Sequence, residues 1–128
     1  MFQKLHTIFE KAFHRQKEDQ KEDRRLVVGD VEVALFKDSV EVWRFHWDDV
    51  TRIVTYKCDL FSVDLVCLDF VVESQQLIYQ TDEDMQGFLD LCEQMHRLFP
   101  SISEGWWSEV VLPPFATNEK VLYDKPAA

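Results

Sequence analysis

Two apolar segments joined by a short polar connection occupy residues 47–70, WDDVTRIVTYKCDLFSVDLVCLDF, and they constrain the fold more than any other part of the chain. Residues 50–58 alternate between two faces and are rich in β-branched and aromatic side chains, which favours a strand. Residues 64–72 are apolar on both faces, as in strands covered on both sides, and Asp69 alone needs solvent or a donor. Because only residues 59–63 separate the two segments, we expect an antiparallel hairpin with Leu60 and Phe61 at its tip.

The chain before and after this hairpin supplies further sheet. Residues 26–36 and 40–47 are predicted strands, and the second turns an aromatic face to the core, formed by Trp43, Phe45 and Trp47. Residues 76–80 predict another short strand. One long amphipathic helix then runs from about Met85 to Phe99, where Pro100 closes it, and Thr81 has the spacing of a capping residue. The pattern is α+β, and several strands before a helix are similar to the pleckstrin-homology-like fold.

Residues 101–128 form an extended aromatic tail that holds enough apolar surface to pack back on the domain. Residues 106–110 predict a helical turn. Adjacent side chains on a helix diverge by about 100°, so we expect at least one of Trp106 and Trp107 at the surface.

The N-terminal residues 1–25 differ in character from the domain predicted over residues 26–128. Residues 2–13 place apolar side chains at helical spacing, which predicts an amphipathic helix. Residues 14–25 are almost all charged or polar, so they either continue this N-terminal helix as a charged, solvated extension or form a linker. Its apolar stripe has three possible destinations: the domain's own sheet or an oligomer, a partner, or a membrane surface. Packing on the sheet is favoured, and the acidic body makes the membrane the least favoured.

Charge limits the class of partner. The formal net charge is −10, yet residues 1–25 carry seven Lys or Arg against five Asp or Glu, and residues 26–128 carry seven against nineteen. So acidic a body repels phosphates, which disfavours nucleic acids and phosphoinositides and favours a basic protein partner. Solubility alone also explains acidic charge. No segment approaches the roughly 20 apolar residues of a membrane span.

The sequence lacks the residue patterns of a catalytic, metal or cofactor site, which predicts a protein that is not an enzyme and that holds no metal and no cofactor. The four histidines are scattered, the carboxylate clusters lack the spacing of a calcium loop, and no nucleophile or phosphate-binding motif is present. Cys92 and His96 stand four apart on one helix, but a core thiol is favoured over a nucleophile there. Three cysteines without CxxC spacing and without a preceding signal-peptide pattern predict a reduced, cytoplasmic protein.

From Trp47 onward, over about two thirds of the chain, the sequence resembles a family of small bacterial proteins that has no assigned activity and a pleckstrin-homology-like domain. The residues that carry the resemblance are Trp47-Asp48-Asp49-Val50, Ile53, Tyr56-Lys57-Cys58-Asp59-Leu60, Asp64-Leu65, Gly87-Phe88, Trp106-Trp107, Pro114-Phe115, Asn118 and Leu122-Tyr123. The resemblance implies an antiparallel sheet with one long helix in the C-terminal half. The region of the first hairpin is acidic here, which argues against phosphoinositide binding.

These patterns together predict a cytoplasmic protein-interaction domain, immunity-like or adaptor-like, that binds a basic protein. The candidate contact residues are Trp106, Trp107, Phe115, Leu60 and Phe61, each of which core packing would also explain. Lys57, Asp59 and Asp64 form a charged cluster, interpreted as an ion pair fixing the hairpin end. The alternative is a small-molecule-binding or catalytic domain with a pocket between sheet, long helix and tail. A third hypothesis gives the N-terminal helix a role in homo-oligomerisation.

Overall fold

The computed structural model describes residues 23–60, 63–112 and 117–126, and this part of the chain is α+β, as predicted. The predicted N-terminal helix lies outside the described residues, apart from its last three positions. Of these, Arg24 and Arg25 already belong to the first strand. The sheet therefore begins two residues before the predicted start of the domain.

Seven described strands form two antiparallel sheets. The three-stranded sheet has the order β1-β2-β3, with β1 Arg24–Val28, β2 Glu32–Lys37 and β3 Val40–His46. The four-stranded sheet has the order β6-β5-β4-β7, with β4 Arg52–Leu60, β5 Val63–Val72, β6 Leu77–Asp82 and β7 Lys120–Asp124. Two helices, α1 Phe88–Leu98 and α2 Trp106–Val111, lie between β6 and β7 in the chain.

The organising hairpin is confirmed as antiparallel, from the pair Arg52↔Val71 to the pair Leu60↔Val63. Its strands extend further than the sequence predicted, because the ladder of pairs continues through Asp59 and Leu60. The turn is therefore shorter than the predicted connection over residues 59–63, and only residues 61 and 62 separate the two strands.

The core lies between the two sheets, where aromatic rings from β3 and its following turn meet β5. The Phe45 ring stacks on Phe70 with 5.1 Å between centroids, and Trp47 meets Phe70 edge-on at 5.6 Å. Phe45 and Trp47 are both buried, which confirms the prediction that this face of β3 points inward. The Trp47 indole N–H donates to the carbonyl oxygen of Gly29 at 3.0 Å, so a polar bond at the β1–β2 turn fixes the ring.

Both helices contribute to the same core. Phe88, Leu91 and Met95 of α1 and Trp106 and Val110 of α2 are buried in one cluster with the inward residues of both sheets. The helical turn predicted at residues 106–110 is confirmed. The tail packs on the domain as predicted, and it does so as a strand, because β7 pairs with the edge of β4.

The start of α1 corrects the capping prediction. The helix begins at Phe88 and not near Met85, and its N-cap is Gly87. The Thr81 hydroxyl does not cap it, because Thr81 belongs to β6 and donates to the carbonyl oxygen of Leu68 at 2.9 Å. Sheet pairing extends through Asp82 and overrides the local capping pattern. The predicted helix end just before Pro100 is confirmed.

Gly87 should be intolerant of any side chain. Its φ is +91°, and a Cβ there would lie 2.6 Å from the carbonyl oxygen of Leu26. We expect Gly87→Ala to lower the free energy of unfolding by about 2 kcal/mol or more, measured by urea denaturation. The control is Gly105→Ala, where φ is −85° and no atom comes nearer than 3.7 Å, with a cost within about 1 kcal/mol. Equal costs for the two variants would contradict this account.

Candidate functional site

The two adjacent tryptophans of α2 have different environments. Trp106 is 2% exposed, and its indole N–H donates to Nε2 of His96 at 3.0 Å. Its position is that of a core residue, so it offers almost no surface to a partner. Trp107 is half-buried, and its ring meets Phe88 edge-on at 6.2 Å. Of the tryptophan pair, Trp107 is the one that a partner can reach.

Trp107 lines an open groove of about 470 Å³, which we call the Trp107 groove. The floor comes from the segment that links β6 to α1 and from the first turn of α1. Leu89, on this helix turn, is 71% exposed and also lines the groove. The described lining residues are Glu83, Met85, Gly87, Phe88, Leu89, Asp90 and Trp107.

The charged residues in this described lining, Glu83 and Asp90, are both acidic. The Glu83 carboxylate accepts a hydrogen bond from the backbone N–H of Val66 at 2.7 Å, which anchors it to β5, a central strand of the four-stranded sheet. Partial burial raises the pKa of Glu83, and the bond from Val66 opposes that rise. The described lining of the groove thus combines apolar side chains with two acidic ones.

Three other predicted contact residues are not placed by the structure. Phe61 and Phe115 lie outside the described residues. Leu60 ends β4, and its backbone pairs with Val63, but its side chain also lies outside the description. Of the five predicted contact residues, only Trp106 and Trp107 have described side chains, and of these two Trp107 lines the groove.

The predicted ion pair at the hairpin does form, and it holds a helix as well. Nζ of Lys57 lies 3.2 Å from Oδ2 of Asp64 and donates to the carbonyl oxygen of Val111 at 2.8 Å. Because Val111 is the last residue of α2, the buried ammonium satisfies a carbonyl at the helix C-terminus. Asp59 pairs with Asp64 through the backbone, and its side chain is not described. The cluster fixes α2 to the β4–β5 hairpin.

The thiols are poorly suited to nucleophilic chemistry. Burial, with a smaller contribution from the Glu93 charge, raises the pKa of Cys92 to about 12. Its predicted neighbour His96 accepts the hydrogen bond from Trp106 through Nε2. Cys58 and Cys67 approach to 3.5 Å between sulfurs, and the hydrogen bond to Cys58 and burial raise the pKa of Cys67. Since the thiolate is the reactive form, the thiols of Cys67 and Cys92 are held in the unreactive, protonated state.

A second cavity of about 200 Å³ lies where the alternative hypothesis predicted a pocket, between sheet, long helix and tail. Drug-sized ligands and cofactors occupy about 300–1,000 Å³, so this space is small for them. Within the described ranges no group of three or more His, Cys, Asp or Glu residues is placed to hold a metal ion. The described residues that line this 200 Å³ cavity are Asp30, Trp47, Asp48, Val50, Leu98, Phe99, Tyr123 and Lys125.

Comparison with protein-family models, with curated proteins and with solved structures finds no match for this chain. The resemblance of residues 47–123 to the bacterial family therefore stays a prediction. In the part of the chain that the structure describes, no helix has the length and apolar character needed to cross a bilayer.

Sequence reasoning missed Leu89, Glu83 and Asp90 as site residues. Leu89 lies within the predicted amphipathic helix, but it follows Phe88 directly and so points about 100° away from it. This offset from the buried Phe88 is the sequence signal that indicates an exposed Leu89. Glu83 follows directly after the last residue of β6, and its place in the groove depends on that strand's extension through Asp82, which the sequence does not predict.

The hydrogen bond between Trp106 and His96 yields a prediction about stability. His96→Phe keeps a ring but removes the acceptor, leaving a buried indole N–H unsatisfied. We expect the free energy of unfolding to fall by about 1–3 kcal/mol, measured by urea denaturation. His96→Gln keeps an acceptor and should lose clearly less. If His96→Gln were as costly as His96→Phe, the hydrogen bond would not be the cause.

Lys57 yields a second stability prediction. Lys57→Met removes the donor to Asp64 and Val111, and we expect a loss of about 2–4 kcal/mol in the free energy of unfolding. Lys57→Met/Asp64→Leu also removes the carboxylate that has lost its contact with the Lys57 ammonium, and it should recover part of that loss. Thermal unfolding of the three proteins measures this. A double variant no more stable than Lys57→Met would count against the pair as the source of the loss.

Proposed function

We propose that this protein is a cytoplasmic interaction domain, not an enzyme, that captures a basic segment of a protein partner in the Trp107 groove. The observation that carries the proposal is the exposed Leu89 beside the half-buried Trp107, with Glu83 and Asp90 on the same groove. An apolar anchor within a charged rim is the arrangement of interface hot spots. This adaptor-like or immunity-like role needs no catalytic group.

The energetics favour a partner with one or two apolar anchors. Fully burying a leucine or aromatic side chain is worth about 1.5–3 kcal/mol, so covering Leu89 and the open part of Trp107 supplies a useful share of binding free energy. The Trp107 ring packs edge-on against the rings of Phe88 and Trp106, with 5.4 Å between the centroids of the two tryptophans. A ring held in place loses little entropy on binding.

The acidic charge of the protein favours a partner segment that carries positive charge. The excess of acidic residues over residues 26–128 raises the encounter rate with basic segments, and Glu83 and Asp90 place negative charge at the groove itself. Lysines or arginines flanking the partner's anchor would pair with these carboxylates. Acidic or phosphorylated partners would be repelled.

We also propose that the fold is pleckstrin-homology-like. Two antiparallel sheets packed face to face, with a helix after the sixth strand, support a pleckstrin-homology-like domain. The chain departs from a simple arrangement of strands followed by a terminal helix, because β7 follows both helices and completes the sheet beside β4. The proposed groove lies at the β6–α1 junction.

Selection from a displayed library of random 12-residue peptides tests the proposal. We expect enrichment of peptides that combine Lys or Arg with a large apolar residue, and a loss of affinity of about tenfold for Leu89→Ser, measured by calorimetry. Asp90→Asn should weaken binding and flatten its dependence on salt. Leu89 is exposed, so Leu89→Ser should keep the stability of the wild type within about 0.5 kcal/mol.

Val42→Ser is the matched control, because Val42 is an exposed apolar residue on β3, away from the groove. Its affinity for the selected peptides should equal that of the wild type. Enrichment of acidic peptides, or equal losses for Leu89→Ser and Val42→Ser, would rule out the groove as the binding site.

A further inference from the structure

The four-stranded sheet has a second apolar face, opposite the core, which we call the outer face. Its cluster comes from alternate positions of β4 and β5: Val54, Tyr56, Cys58, Leu65 and Cys67. Tyr56 is 7% exposed, Cys58 3%, Leu65 4% and Cys67 2%. The Tyr56 hydroxyl donates to Oδ1 of Asp69 at 3.2 Å on this same face, and Asp69 is also buried.

The described helices do not account for this burial. The buried residues of α1 and α2 belong to the core between the sheets, with Ile53, Leu68 and Phe70 of β4 and β5. Those three alternate with the outer-face residues and point the other way. Within the described residues, the outer cluster consists of strand residues only. A flat sheet face without a cover would leave rings and thiols open to solvent, so something else must lie over it.

We propose that residues 1–22 supply this cover, with the apolar stripe of residues 2–13 lying across Tyr56, Leu65 and Cys67. The other stretches outside the described residues are two to four residues long, at 61–62, 113–116 and 127–128. Only residues 1–22 have the length and apolar content to cover such a patch. The stripe is formed by Phe2, Leu5, Ile8, Phe9, Ala12 and Phe13.

The point where this segment joins the described chain places it beside the outer face. Arg24 forms a two-bond ion pair with Asp82, at 2.8 Å and 3.0 Å. Asp82 is directly opposite Cys67 in the register of β5 and β6, and therefore shares its face. The chain thus leaves the domain at the edge of the patch that needs covering.

The dimensions agree with this placement. Twelve helical residues span about 18 Å, and the distance from Val54 to Cys58 along β4 is about 13 Å. Residues 14–22 can span up to about 30 Å if extended. This reach is ample for connecting β1 to the outer face of the neighbouring four-stranded sheet. The charged residues of that linker would remain in solvent while the stripe is buried.

Photo-crosslinking in the full chain tests the proposal. Benzoylphenylalanine replaces Phe9 on the stripe in one protein and Thr7, on the opposite side of the helical projection, in the control. We expect position 9 to crosslink within the same chain to Val54, Tyr56, Cys58, Leu65 or Cys67, mapped by peptide mass spectrometry. Position 7 should not crosslink to these residues.

Each other outcome of this experiment overturns the proposal. Mixing isotope-labelled and unlabelled protein identifies crosslinks to a second copy, which would make the stripe an oligomer contact. Crosslinks from position 9 to any other surface would place the segment elsewhere. A complete absence of crosslinks from position 9 to the outer face would show that the face is not its binding site.

Thiol reactivity gives a second, independent measurement. The charges in Ile8→Asp/Phe9→Asp should displace the stripe and raise the rates of modification of Cys58 and Cys67 by an aromatic disulfide about tenfold. Cys92, which belongs to α1, is the internal reference and should not change, with circular dichroism confirming the fold. The matched control Gln3→Asp/Thr7→Asp adds the same charge on the polar side. Equal rates in both double variants would contradict the proposal.

Discussion

The β4–β5 hairpin is apolar on both faces, and this constraint determines how the rest of the chain is arranged. The inner face is covered by the three-stranded sheet through the Phe45–Phe70 stack and by the two helices. The outer face is equally inaccessible, although the described residues of its hydrophobic cluster all belong to β4 and β5. A central hairpin of this kind is stable only with a layer on each side, because exposed apolar area on either face costs about 25 cal/mol per Å².

Two buried polar bonds position α2 and, with it, the proposed site. Lys57 joins the hairpin to the C-terminal carbonyl of α2, and Trp106 joins the start of α2 to His96 of α1. These bonds hold both ends of a helix only six residues long. Such a short helix has little intrinsic stability, so its orientation depends on tertiary contacts. The position of Trp107 in its groove follows from them.

The Trp107 groove and the outer face are two apolar regions of different kinds. In the groove, Leu89 is exposed and the described charged lining is acidic, which are the features on which the proposed binding of a basic partner rests. On the outer face, the side chains are already buried and Asp82 carries the ion pair with Arg24. A surface that is open and charged suits an exchangeable partner, whereas one that is closed suits a segment of the same chain.

The sequence by itself determined the α+β class, the antiparallel hairpin, the inward aromatic face of β3 and the end of α1 before Pro100, because alternation, helical periodicity and proline act locally. Only the tertiary structure decided that Thr81 and Asp82 belong to β6, that Trp106 is buried while Trp107 lines a groove, and that the tail adds β7 to the edge of β4. These outcomes depend on residues distant in the chain, among them Leu68, Arg24 and His96, which supply the bonds that override local preference. No local pattern contains the positions of those partners.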